Sequence, residues 1–153
     1  MKSVFRQTKV IETGKFESDA AHSFHVALMA DVLADYSDRP IDKSKVIKML
    51  LIHDIVEIDA GDTYAYDYEG YKTKEDREKK AAHRIFGLLD DEKKKEYMDL
   101  FFEFDNLETD DSLFANTIDR LQPIMLNYYR GGGSWEEHLS LIHISEPTRR
   151  YAI

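Results

Sequence analysis

The chain has 153 residues, a formal net charge of −9 and no cysteine, a length that suits one domain with its own hydrophobic core. Without thiols there are no disulfides, thiolate metal sites or cysteine nucleophiles, so any metal site must be built from His, Asp or Glu. The acidic balance argues against a broad nucleic-acid surface, no apolar run approaches the ~20 residues of a membrane span, and no signal-peptide pattern precedes Arg6; the expectation is a soluble, cytoplasmic protein.

Glycine and proline are scarce inside the long segments and apolar residues recur at helical spacing, so the expected fold is all-α, a compact bundle of several helices. Met1 to Thr8 reads as the middle of a helix. A helix is predicted from an N-cap at Asp19 to Tyr36, burying Phe24, Ala27, Leu28 and Leu33, with His22 in its first turn. The next begins near Asp42, after Pro40, and ends at Gly61 as C-cap; Val46, Met49, Leu50, His53, Val56 and Glu57 fall along one stripe. Gly61 to Gly70 is a loop rich in hydroxyls and acids. A charged helix from Thr73 to Leu89 turns Ala81, Ala82, Ile85 and Leu88 inward, and its Lys and Glu run is a solvated face. Asp90 or Asp91 caps a helix reaching Phe104. Asp110 or Asp111 starts one reaching Tyr129, kinked by Pro123 and stopped by Gly131-Gly-Gly133.

From Leu139 the run Leu-Ser-Leu-Ile-His-Ile-Ser-Glu-Pro-Thr-Arg149 reads codon by codon as a translated sequencing-library transposase adaptor. Residues 1–138 are therefore read as the domain, incomplete at both ends, and 139–153 as a tail with no bearing on the fold. His143 is then no ligand candidate.

The sharpest chemical signal is His53 beside Asp54 in the apolar stretch Lys48-Met-Leu-Leu-Ile-His-Asp-Ile-Val-Glu57. Adjacent helical residues point about 100° apart, so an imidazole and a carboxylate side by side here ask for a common cause. A shared divalent ion supplies one, because both groups are ligands for borderline metals, and His22 and Asp119 from other helices would complete a four-point cage. Glu57, four residues after His53, adds an acid that can handle a proton one turn further on. The alternative is a satisfied core histidine among exposed acids. Suitable ligands from several separate segments favour the metal site, and with it a metal-dependent hydrolase.

The ordered set His22, His53-Asp54 and Asp119 resembles the H...HD...D pattern of the HD-domain metal-dependent phosphohydrolases. More narrowly, Glu17-Ser-Asp-Ala-Ala-His-Ser23, His53-Asp-Ile-Val-Glu-Ile-Asp-Ala-Gly-Asp62 and Ile118-Asp-Arg-Leu-Gln-Pro123 are similar to the branch that contains the 5'-deoxynucleotidases. The likeness runs from about Arg6 to His138. An HD pair alone is a weak signal; the ordered set with Gly61-Asp62 and Asp119-Arg-Leu-Gln-Pro123 is specific. The resemblance implies the HD-domain (phosphodiesterase-like) fold, with one divalent ion (Mn, Fe, Co, Ni or Zn) held by His22, His53, Asp54 and Asp119. It further implies proton handling by Glu57, substrate contact by Asp62 and its loop, and a homodimer. The implied reaction is phosphate release from nucleoside 5'-monophosphates, with deoxyribonucleosides preferred. The other readings are hydrolysis of a different phosphorylated metabolite or a diester, and nucleotide binding with little turnover.

One departure stands out. The branch carries Glu immediately before its first metal histidine, and here that residue is Ala21; a carboxylate there would accept an imidazole N–H, so its loss is expected to weaken metal affinity without removing a ligand. Arg6 and Lys15 are the candidates for the substrate phosphate, since a basic group complements its oxygens, and the resemblance favours Arg6. His25 is assigned a packing or supporting role, Asp59 a solvent-facing one, and Trp135, Tyr128 and Tyr129 are read as packing or interface groups.

Overall fold

The computed structural model describes residues 1–61 and 68–132. A two-stranded antiparallel hairpin, β1 (Phe5–Lys9) and β2 (Phe16–Ser18), precedes α1 (Asp19–Leu33), α2 (Lys43–Ile52), α3 (Glu57–Ala60), α4 (Tyr68–Phe86), α5 (Asp91–Asn106) and α6 (Asp110–Tyr129). The body is all-α as expected. The N-terminal segment is a correction, because Phe5 to Lys9 is extended rather than helical and pairs Phe5 with Ser18 and Lys9 with Phe16. Its backbone partners lie a turn away, and local propensity does not report that pairing.

Side-chain caps set most helix starts. Ser18, not Asp19, caps α1 by accepting from the Ala21 N–H at 3.3 Å. Asp42 caps α2 and Asp90 caps α5, as their positions predict. At α6 the cap is Thr109, joined reciprocally with Ser112. This frees Asp111 to accept from the Asp42 N–H at 2.8 Å, tying the start of α2 to the start of α6. Arg130 closes the far end of α6 onto the hairpin by donating to the Val10 carbonyl at 2.9 Å.

α2 packs between α1, α5 and α6, and α4 covers α5 and α3. The core joins Val26 and Ala30 of α1, Val46, Met49 and Leu50 of α2, Ala82 and Phe86 of α4, Phe101 of α5, and Ala115 and Ile118 of α6. Each fully buried large apolar side chain among them contributes about 1.5–3 kcal/mol. On α1 the buried face is His22, Ser23, Val26, Ala27 and Ala30, whereas Phe24 and Leu28, predicted core residues, are 67% and 51% exposed. α1 is apolar nearly all round, so periodicity does not choose its face, and small residues let α2 and α6 approach it closely. On α4, Ala81 and Ala82 are buried as expected, but the helix ends at Phe86, which fills the place expected for the exposed Leu88.

Among the described residues no helix is long and apolar enough to cross a membrane. Residues 62–67, with Asp62, and residues 133–153, with Gly133, Trp135 and the proposed adaptor tail, lie outside the described residues.

Candidate metal centre

The helix predicted to run unbroken from Asp42 to Gly61 changes character at Ile52. His53 to Val56 form a 3-10 turn, α3 follows for one turn, and Gly61 ends it at φ 75°, a backbone conformation glycine adopts without steric cost. The turn carries both His53 and Asp54 into the interior, where α1 brings His22 and the middle of α6 brings Asp119. All four predicted ligands therefore meet at one place.

The histidine geometry is specific. His53 Nδ1 donates to the Leu50 carbonyl at 2.8 Å, which leaves the lone pair on Nε2. That Nε2 is buried and makes no hydrogen bond, yet it lies 3.1 Å from Asp54 Oδ1 and 3.4 Å from Asp119 Oδ1. A lone pair facing two carboxylate oxygens is repulsive unless a cation sits among them, so the donor set fits a divalent metal. His22 Nε2 approaches Asp119 Oδ1 at 2.8 Å and Asp54 Oδ2 at 3.9 Å. One ligand-type atom from each of His22, His53 and Asp54 lies within 4.8 Å of the others. The Phe104 ring, 5.0 Å from the His53 ring, forms an apolar wall on that side.

Glu57, buried at the start of α3, brings a carboxylate oxygen within 4.8 Å of oxygens of Asp54 and Asp19. Arg6 on β1 donates from Nη1 to Asp54 Oδ2 at 2.6 Å, so the hairpin delivers the guanidinium to the rim of the centre. Lys15, the other phosphate candidate, is exposed at the hairpin turn. Asp59 is exposed, as expected, and forms a two-point pair with Arg84 that clips α3 to α4. Tyr128 and Tyr129 stand exposed at the end of α6 and meet each other edge to face.

Glu17, Asp19 and Gln122 are buried polar residues to which the sequence assigns no role in the site. Asp19 was read as a cap, and Glu17 and Gln122 appeared only as letters of the motifs; the signal available for all three was a polar side chain inside a segment otherwise committed to the core. Glu17 is 4% exposed and Asp19 and Gln122 are fully buried. Gln122 Nε2 donates to Glu17 Oε1 at 2.7 Å and approaches His25 Nδ1 at 3.1 Å, while its Oε1 lies 3.2 Å from His22 Nδ1. Ala21 is exposed.

These contacts set the charge states. Burial would depress the His22 pKa, but the hydrogen bond to Asp119 and the Glu17 carboxylate 3.6 Å from Nδ1 prevail and push it up to about 9. Burial likewise opposes ionisation of Asp119, and the hydrogen bond from His22 with the nearby Arg6 charge overcomes it, holding that carboxyl far below the usual carboxylate range. A histidine whose folded pKa exceeds its unfolded value of 6.5 stabilises the fold fully below pH 6.5 and ceases to do so as pH rises through about 9. Chelator-treated protein is therefore expected to lose stability between pH 6.5 and 9, read as a falling urea midpoint at constant slope. A flat midpoint over that window would contradict the His22–Asp119 pairing.

The family model described as HD domain matches residues 1–151. The solved structure of a predicted metal-dependent phosphohydrolase from Magnetospirillum magnetotacticum MS-1 is 47% identical with a TM-score of 0.85, covering 90% of this chain and 68% of that one. A conserved hypothetical protein from Pyrococcus furiosus is 29% identical with a TM-score of 0.62, covering 89% and 84%. Among curated proteins, 5'-deoxynucleotidase HDDC2 from Danio rerio is 31% identical over 109 residues, 71% of this chain and 53% of the relative. The Dictyostelium discoideum protein of the same name is 32% identical over 117 residues, 73% and 62%. The chain thus spans about half to two thirds of the length of these curated relatives.

Proposed function

This chain belongs to the HD-domain family, and from that premise and the centre just described we propose that it is a metal-dependent phosphohydrolase releasing phosphate from nucleoside 5'-monophosphates, with deoxyribonucleosides preferred. The observation that carries the reading is the buried, unpartnered His53 Nε2 facing two carboxylates. His22, His53, Asp54 and Asp119 would hold one divalent ion from the series Mn, Fe, Co, Ni and Zn, among which mixed nitrogen and oxygen ligation does not choose. Such an ion supplies Lewis acidity toward a phosphoryl oxygen and lowers the pKa of a bound water.

The protein's own groups then have distinct tasks. The pocket gathers carboxylates from Asp19, Asp54, Glu57 and Asp119 with the Arg6 guanidinium at its rim, an excess of acid that a bound cation would offset for a phosphate. Glu57 takes the proton of the attacking water. Arg6, at the rim, presents the planar fork that matches phosphate oxygens. Asp62, which follows α3 in the sequence, accepts a hydrogen bond from the sugar. The homodimer implied by the family likeness is supported by Phe24, Leu28, Val32 and Tyr36, exposed apolar residues at four-residue spacing along α1 and the 3-10 turn that follows it.

The test is a screen of purified, metal-supplemented protein against ribo- and deoxyribonucleoside mono-, di- and triphosphates, cyclic nucleotides and diesters. Metal-dependent phosphate release from the 5'-monophosphates, fastest with deoxyribose, is expected. Turnover confined to diesters or to another phosphorylated metabolite would replace the substrate assignment, and saturable nucleotide binding without release would make the protein a binding homologue.

A further inference from the structure

Gln122 stands in an unusual position for an amide. It is fully buried in α6, one turn from Asp119, and its three polar contacts reach β2 and α1, about 100 residues away in sequence. The direction of the amide is fixed by Glu17. A carboxylate oxygen at 2.7 Å can only accept, so Nε2 must face Glu17, and its second hydrogen points to His25 Nδ1 at 3.1 Å. Oε1 is thereby turned to His22 Nδ1 at 3.2 Å, where it accepts the Nδ1–H. The opposite flip would set two acceptors against each other at Glu17 and offer His22 Nδ1 a donor, forcing the imidazole proton onto Nε2. His22 Nε2 is the nitrogen that faces Asp119 and Asp54.

We propose that Glu17 and Gln122 are positioning residues for the metal centre: Glu17 orients the Gln122 amide, and the amide fixes the tautomer and ring angle of His22 so that its Nε2 lone pair faces the metal. Outer hydrogen bonds of this kind set which imidazole nitrogen binds a metal. The inference rests on reading His22 as a ligand. It also accounts for Ala21. The imidazole N–H that a carboxylate at position 21 would accept is already held from inside the core, and Ala21 itself faces solvent.

Zinc is the probe, with its affinity measured by competition against a chromophoric chelator. The zinc-loaded, histidine-15N-labelled protein supplies a second readout, the protected Nδ1–H resonance of His22. Gln122→Met, near in volume but unable to accept, is expected to weaken zinc binding by ~10–100-fold and to expose the Nδ1–H to rapid exchange. Glu17→Gln, nearly isosteric, removes the group that dictates the amide direction and should change both readouts in the same sense. Should Gln122→Met fail to fold by circular dichroism, Glu17→Gln decides. Ala21→Glu should leave zinc affinity within about threefold of wild type, well short of the effect of losing an outer partner.

Folded variants at Glu17 and Gln122 that keep zinc affinity within about twofold and a protected Nδ1–H would overturn the proposal. A tenfold or larger tightening in Ala21→Glu would do the same, since it would show that His22 lacked a partner. His22→Ala separates this failure from that of the metal reading. If zinc affinity survives His22→Ala, the ligand assignment itself falls; if it is lost there but unchanged at Glu17 and Gln122, only the positioning role does.

Discussion

Asp54→Ala is expected to abolish stoichiometric metal binding and phosphate release together while preserving most of the helix content. Asp54 sits in a 3-10 turn rather than in the apolar core, so its truncation opens no large cavity between α2, α5 and α6. What it removes is a carboxylate oxygen 3.1 Å from His53 Nε2 and the partner of Arg6. Two acceptor nitrogens and one remaining carboxylate offset a dication poorly, and the Arg6 guanidinium left beside the site opposes it further. Elemental analysis of purified protein beside circular dichroism gives the answer. Wild-type metal occupancy in each of the Asp54, His53 and Asp119 variants would remove the basis for the centre.

Glu57→Ala should separate ligation from chemistry. Its carboxylate is grouped with those of Asp19 and Asp54 and not with the two histidine rings, so metal content is expected to stay at the wild-type level. A group that handles a proton in the transition state contributes about 10²–10⁴-fold. kcat should fall by that order with little change in KM, as for an interaction made mainly in the transition state. Near-normal kcat with full metal occupancy would move the proton-handling role away from Glu57, and the buried Asp19 carboxylate beside it would be the next variant to measure.

The candidate centre was legible in the sequence because its ligands announce themselves through conflict with their surroundings. His53-Asp54 interrupts an apolar segment, and an interruption of that kind needs a compensating partner. The same logic applies to Glu17, Asp19 and Gln122, yet a lone amide or a carboxylate near a helix start has common local explanations in capping and solvation. Only the packing of α6 across α1 and β2 shows that the three are buried and where they point.

Helix existence followed from periodicity and caps, and Asp42, Gly61 and Asp90 mark their boundaries because capping is a local hydrogen-bonding requirement that the sequence itself satisfies. The hairpin and the face of α1 were not available in that way. A strand at Phe5 to Lys9 depends on a partner strand for its backbone hydrogen bonds, and α1, apolar on most of its surface, offers no stripe to rank. By itself, then, the sequence determined the helical class, the residue types of the centre and the order in which the chain supplies them. Which nitrogen of His22 turns inward, which amide holds it there and which arginine reaches the rim were decided by tertiary structure, because those contacts join residues 48 to 105 positions apart whose meeting depends on how helices cross rather than on any local preference.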